Sequence, residues 1–448
     1  MIDFRTFPAT FVVVLCLLSS SAMAQAVPAR APTSTVEVHS LPQMGGAQSF
    51  DARHETELYL ARVSGKARER SDAYFEGGYV LLLVDALYAI AVSALLLWTK
   101  MSAGMRNVAQ RVTRTRFFQV PVYAVQYVVL ITVLTLPLTI YEEFIREHAY
   151  GLSNQSFLGW SRDFAVAFAF TLLGSVVVLT LIYGAIRAAK RNWWVWGTVI
   201  GVSALFVLTT IAPVFIEPAF NTYKPLPDSP LKHELIAMAQ GNGIPAKNIY
   251  VFDASKQTTR VSANVNGLFG TTRIAMNDNL LKEGTPPEIK AILGHEMGHY
   301  VLNHQYILIT WFGLLFLVGF AFVNWAFGAL TELFGGNWDV RTIDDPAGLP
   351  VLMAAASAFL FVTTPVQNTI TRTVEAQADI FGLNTARQPD GFATAALKVS
   401  NYRKLEPSPL EEFVFYDHPS GRTRIYSAMR WKAAHLNDPD IVAGPRSP

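Results

Sequence analysis

Of 448 residues only one is cysteine, Cys16. A lone thiol closes no internal disulfide, and because Cys16 falls inside an expected leader, cysteine catalysis is excluded. Charge is sparse too: 16% of residues are Asp, Glu, Lys or Arg, and a net charge of +2 gives no electrostatic case for nucleic acid. No G-x-S-x-G elbow, Walker loop or dinucleotide fingerprint occurs, so the serine-hydrolase and nucleotide chemistries built on them are left without support.

What the chain has is apolar sequence, with 51% hydrophobic residues and a positive mean hydropathy. Apolar runs of about 20 residues are long enough to cross a bilayer. They occur at roughly 79–98, 119–140, 164–186, 193–216, 304–326 and 349–370, and predict six spans. Trp193, Trp194 and Trp196 beside Lys190 and Arg191 predict an interfacial anchor for the fourth. Asp85, inside the first span, calls for a wet chamber or a hydrogen bond to a neighbouring helix.

Phe11 to Leu18 followed by Ser-Ala-Met-Ala before Gln25 reads as a signal peptide over residues 1–24; an uncleaved first hydrophobic segment is the competing reading. A polar segment 25–74 follows, with a Glu57 to Arg70 stretch suited to an exposed helix, then a membrane bundle over 75–217. The remainder, 218–440, holds a soluble insert, two more spans and a polar C-terminal part. The insert predicts a helix over Leu231 to Gln240, a strand over Asn248 to Asp253, an extended stretch over Val261 to Met276, and a helix beginning after Thr285.

That last helix carries the chemistry. In His295-Glu296-Met297-Gly298-His299 two imidazoles stand one helical turn apart and can take two corners of a zinc tetrahedron, while Glu296 can reach a water in the metal's open position. Thr285-Pro286-Pro287-Glu288 supplies the N-cap, the proline of the first turn and the capping-box glutamate. Gly294 and Gly298 would each cost about 1 kcal/mol against alanine, which implies a close approach by a backbone or a substrate. A third ligand is available in Glu375-Ala376-Gln377-Ala378-Asp379, whose two carboxylates share a helix face. One can bind zinc; the other can accept the N–H of a ligating imidazole. Two spans separate His299 from Glu375, so both motifs return to one side of the membrane.

Which side is contested within the sequence. Lys100, Arg106, Arg111, Arg114 and Arg116, with Arg187, Lys190 and Arg191, put their loops in the cytoplasm by the positive-inside rule. Residues 327–348 carry Arg341 among Glu332, Asp339, Asp344 and Asp345, which suits an outside loop instead.

From about Tyr74 to Ile425 the chain resembles the integral-membrane zinc metallopeptidases typified by the type I CAAX prenyl proteases, together with their bacterial relatives. The likeness runs through Glu147-His-Ala-Tyr-Gly-Leu-Ser-Asn-Gln155, Glu217-Pro-Ala-Phe-Asn-Thr-Tyr-Lys-Pro-Leu226, Ser262-Ala-Asn264 with Arg273-Ile274 and Asp278, the two site motifs, and Asp417-His418-Pro419 with Arg424-Ile425. It implies a mainly α fold, a multi-pass transmembrane bundle bearing a gluzincin-type zinc metallopeptidase domain with a small β edge or hairpin. It also implies one Zn2+ on His295, His299 and Glu375, Glu296 as catalytic base, and Asp379 as a carboxylate behind the ligands or a proton donor. His418 is expected at the substrate oxyanion, and Asn264 and Arg424 at the substrate. The expected partners are a peptide or protein segment at the membrane and the lipid bilayer, without nucleic acid or nucleotide, in a bacterial inner membrane. Departures at Asn264-Val265-Asn266 and Asp417 make prenylation an unnecessary substrate feature. A multi-pass transporter or scaffold with a structural or inactive metal site is the rival reading; an open coordination pattern without cysteine argues against it.

Overall fold

The computed structural model describes residues 50–266 and 272–441; the expected leader lies outside them. Helices α1 (Ala52–Leu60), α2 (Gly65–Trp98), α3 (Met101–Val112), α4 (Arg116–Thr139), α5 (Phe157–Ala189) and α6 (Trp193–Ile211) come first. The expected single helix over Glu57 to Arg70 is instead broken at residues 61–64, and α2 starts at Gly65 with φ of 58°. Helix continues past α4 to Ala149 and past α6 to Phe220, each through a π-helical stretch.

Four helical runs are long and apolar enough to cross a membrane: Gly65–Trp98, Arg116–Ala149, Phe157–Phe220 and His304–Trp338. The 64-residue run is α5 and α6, packed together and turned at Lys190, whose φ is 41°. The expected span at 349–370 is not one straight helix. α11 (Leu349–Val362) and α12 (Thr364–Ala386) belong to runs that meet at 56°. Pro365 explains the bend, because it has no N–H to carry the ladder across. Trp193 is 1% exposed and donates to Asn324 Oδ1 at 2.7 Å, so it fixes α6 inside the bundle and only Trp196 faces outward. Asp85 lies beside Glu142 of the neighbouring run.

Between the fourth and fifth crossings lies the soluble part. Strand β1 (Tyr223–Pro225), helix α7 (Pro230–Gly241), strands β2 (Ile249–Phe252), β3 (Ala263–Asn266) and β4 (Arg273–Asn277), and helices α8 (Asp278–Glu283) and α9 (Pro286–Val301) follow in order. The sheet order is β1-β2-β4-β3, with β2 and β4 parallel and the other pairs antiparallel. The sequence read one strand and an extended stretch; the stretch is the β3–β4 pair, with Asn264 opposite Ala275 and β3 at the sheet's edge. Leu293 and Met297 of α9 bury against Ile249, Ile274 and Met276 of the sheet. α10 (His304–Trp338), α11 and α12 lead to α13 (Pro389–Lys398), α14 (Pro409–Phe415) and α15 (Gly421–Ala434). Helix α1 closes this end: Tyr59 donates to Asp390 at 2.7 Å, and Lys432, 1% exposed, donates to the same carboxylate.

Candidate metal centre

Helix α9 begins where its cap residues dictate. Thr285 and Glu288 form a reciprocal capping box, with Thr285 N donating to Glu288 Oε2 at 2.7 Å, and Lys398 anchors that carboxylate at 2.6 Å. The glycines of α9 face α12. A Cβ on Gly294 would meet Gly382 O at 3.1 Å, and one on Gly298 would meet Ala378 Cα at 3.2 Å. On the other helix, a Cβ at Gly382 would stand 2.7 Å from His295 N. The close approach is therefore helix backbone against helix backbone, and it brings Glu375 and Asp379, 2% and 3% exposed, up to the histidines.

His295, His299 and Glu375 offer ligand atoms within 4.8 Å of one another, an arrangement that could hold a metal ion. His295 Nε2 lies 3.1 Å from His299 Nε2 and 3.1 Å from Glu375 Oε2, and His299 Nε2 lies 3.6 Å from Glu375 Oε1. Ligands about 2.1 Å from a tetrahedral zinc stand about 3.4 Å apart, which those separations bracket. Glu375 Oε2 also lies 3.1 Å from His418 Nε2, yet it is aligned for a hydrogen bond with neither imidazole. An acceptor so buried and so close to nitrogen, without a hydrogen bond, suits a cation. The nitrogen and carboxylate donors fit zinc, and no sulfur closes the shell.

A supporting layer holds these side chains. Asp379 Oδ1 is 2.8 Å from His295 Nδ1, although the ring is turned off ideal hydrogen-bond alignment. Burial works against a charged His295, but the Asp379 and Glu375 carboxylates outweigh it and raise its pKa to about 10. Arg424 grips Asp379 with a two-point fork, Nε to Oδ2 at 2.9 Å and Nη2 to Oδ1 at 2.6 Å, so it sits behind the site. Glu296 is half-buried and, among the described residues, makes no hydrogen bond or ion pair. His418, 4% exposed, stands beside Glu375 but outside the converging set. Asn264, 8% exposed, lies on the edge strand with Oδ1 unpartnered.

Two residues here were not anticipated. His304 is 0% exposed, with Nδ1 3.0 Å from His299 Nδ1 and Nε2 3.1 Å from Gln377 Oε1. With His299 Nε2 turned to the centre, its Nδ1–H donates to the bare Nδ1 of His304, and His304 Nε2–H donates to Gln377 Oε1. Only the recurrence of a histidine five residues after His299 hinted at it.

Two family models match successive stretches: CAAX prenyl protease N-terminal, five membrane helices, over residues 57–222, and peptidase family M48 over residues 225–432. The chain carries a peptidase family M48 domain behind a CAAX prenyl protease N-terminal domain. It is a membrane-embedded metalloprotease, and the transporter or scaffold reading is not favoured. Similar proteins include an uncharacterized metalloprotease, YhfN, of Bacillus subtilis, 28% identical over 70% of this chain and 74% of that one. CAAX prenyl protease 1 of Saccharomyces cerevisiae is 28% identical over 66% of this chain and 68% of its own length. The crystal structure of S. mikatae Ste24p superposes with a TM-score of 0.63 at 22% identity, covering 84% of this chain and 88% of that one, and shows the same fold.

Proposed function

We propose that this metalloprotease is a zinc endopeptidase acting on peptide segments presented at the membrane, and that His295, His299 and Glu375 hold the ion. The observation that carries this reading is the convergence of those three side chains beside an unpaired Glu296. Bound there, zinc would bring the pKa of a coordinated water to about 7 and polarise a peptide carbonyl. Glu296, one residue along from a ligand, takes the water's proton and passes it to the leaving amine. His418, tethered beside Glu375, donates to the carbonyl oxygen as it gains charge. Asp379 accepts from His295 Nδ1 and fixes that ring, and Arg424 holds the carboxylate in place; with both oxygens so engaged, Asp379 serves as a positioning group and not as a proton donor. Along the edge strand, the substrate backbone adds to β3 near Asn264.

The named relatives' prenylated substrates are not required by anything in this site. A farnesylated peptide, its unmodified counterpart and an unfolded membrane-protein fragment should be offered to the purified enzyme, with and without chelator. Chelator-sensitive cleavage of the unmodified substrates is expected, and cleavage confined to the farnesylated peptide would make the chain a dedicated prenyl protease.

A further inference from the structure

Helix α14 (Pro409–Phe415) is too short to cross a membrane, yet it turns an apolar face outward. Leu410 and Phe413, three residues apart and so on one face, are 71% and 51% exposed. The opposite face is held. Ser408 and Glu411 close a reciprocal capping box, and Lys404 bridges Glu411 at 2.8 Å to Glu76 of α2 at 2.7 Å. Phe415 stacks on Tyr79 of α2 with ring centroids 3.9 Å apart, and Asn368 of α12 donates to Val414 O at 2.7 Å. The short helix is wedged between α2 and α12.

Those two helices give its depth independently. The exposed stripe of α2 reads Glu76, then Val80, Leu83 and Leu87; that of α12 reads Val366, then Thr369 and Thr373. Ala89, Val92 and Ser93, on the other side of α2, line a cavity inside the bundle, so the apolar stripe faces away from it. Each stripe changes from apolar to polar where α14 touches it, at Glu76 and Tyr79 on α2 and at Asn368 on α12. Hydrocarbon gives way to headgroups at such a boundary. Leu410 and Phe413 continue the lipid-facing surface, and a face only two side chains wide suits a bilayer better than a folded partner.

We propose that α14 seats Leu410 and Phe413 in the headgroup–acyl boundary of the bilayer, and that this seat positions His418. The link is short. Arg372 of α12 donates to Glu412 O at 2.8 Å and to Tyr416 O, and Ser420 N donates to Glu412 Oε1 at 2.9 Å. Both ends of the Tyr416-Asp417-His418-Pro419 turn are thereby fastened to α14. Tyr416, 2% exposed, packs on Phe75, and His418 stands two residues on, 3.1 Å from Glu375 Oε2. A helix lifted from the bilayer would carry that turn with it. The positioning of His418 rests on the peptidase reading above; the bilayer contact does not.

Nitroxide labels test the contact without turnover. Leu410→Cys, Phe413→Cys and, as a reference on the exposed surface of the soluble part, Asp228→Cys are each labelled in a Cys16→Ser background and read by power-saturation EPR in phospholipid nanodiscs. Oxygen should reach the first two labels more readily than a water-soluble nickel chelate does, and the third label should show the reverse. Equal nickel access at all three sites overturns the seat. So does spin–spin broadening at the first two that dilution with unlabelled protein removes, since a second copy would then cover the face. For the positioning, Leu410→Gln/Phe413→Gln is assayed in nanodiscs on one unmodified peptide. The kcat should fall several-fold, within the about 100-fold that a 1 Å misplacement costs, with KM and zinc content unchanged. Leu410→Met/Phe413→Leu should restore it. An unchanged kcat, or a change in KM alone, overturns the positioning and leaves the bilayer contact standing. Absence of chelator-sensitive turnover in the parent protein would defeat the peptidase reading, and the role of His418 with it, while the labels still decide the contact.

Discussion

At the site, Gly294, Gly298 and Gly382 let two helix backbones touch, whereas in the membrane Gly197 and Gly201 of α6 make room for the rings of Phe320 and Phe316 of α10. The distances differ modestly. A Cβ would meet His295 N at 2.7 Å from Gly382, but a Phe320 ring carbon at 3.1 Å from Gly197. The neighbour's freedom differs more: a ring can tilt by a few tenths of an ångström, and a backbone amide in mid-helix cannot. The protein thus concentrates its rigidity where a ligand set must be held, and leaves the membrane crossing some slack.

The sharpest break of this contrast is Gly382→Ala. The added methyl must push α12 from α9, separating Glu375 from the histidines, and a displacement near 1 Å is enough for about a 100-fold loss of rate. Zinc content by metal analysis should fall with turnover; full zinc and normal turnover would mean that the crossing has slack after all. Next come the supporting side chains. His304→Ala and Asp379→Ala should each weaken zinc binding by about 10 to 100-fold in a chelator competition, with the fold retained by circular dichroism. An unchanged zinc affinity in either variant would reduce that residue to packing. The smallest effect belongs to the membrane crossing. Gly197→Ala adds strain of about 1 to 3 kcal/mol, partly offset by about 1 kcal/mol of helix propensity, so the melting temperature should move by only about 3 °C and zinc content not at all.

The same contrast separates what the sequence discloses from what it conceals. Local signals were readable: Thr285, Pro286 and Glu288 start α9 where the structure starts it, and the spacing of His295 and His299 needs only a helix to bring both to one face. Glu375 was reachable by counting crossings, because an even number returns the chain to its starting side. Gly294 and Gly298 announced a close approach without saying to what. The Gly382 partner lies on another helix, beyond any local pattern. His304 was missed because Asn303 adopts a φ of 65°, which ends one helix and starts the next so that His304 swings back under His299. A left-handed asparagine leaves no dependable trace in a single sequence. The bend at Thr363 did leave one, in Pro365, inside a stretch whose apolarity favoured an unbroken span. Strand β1 is three residues ending in Pro225, too short to carry an alternation. Trp193 shows the limit of composition: a tryptophan beside basic residues fits an interface, and only packing reveals that Asn324 draws it inward.

The central claim is that Glu296 acts on the water while His295, His299 and Glu375 hold the ion. The most direct test is to measure zinc per chain and peptide turnover in Glu296→Gln beside Glu375→Ala. Glu296→Gln should keep about one zinc per chain and lose turnover, and Glu375→Ala should lose both. Loss of zinc from Glu296→Gln, or normal zinc in Glu375→Ala, would contradict the assignment.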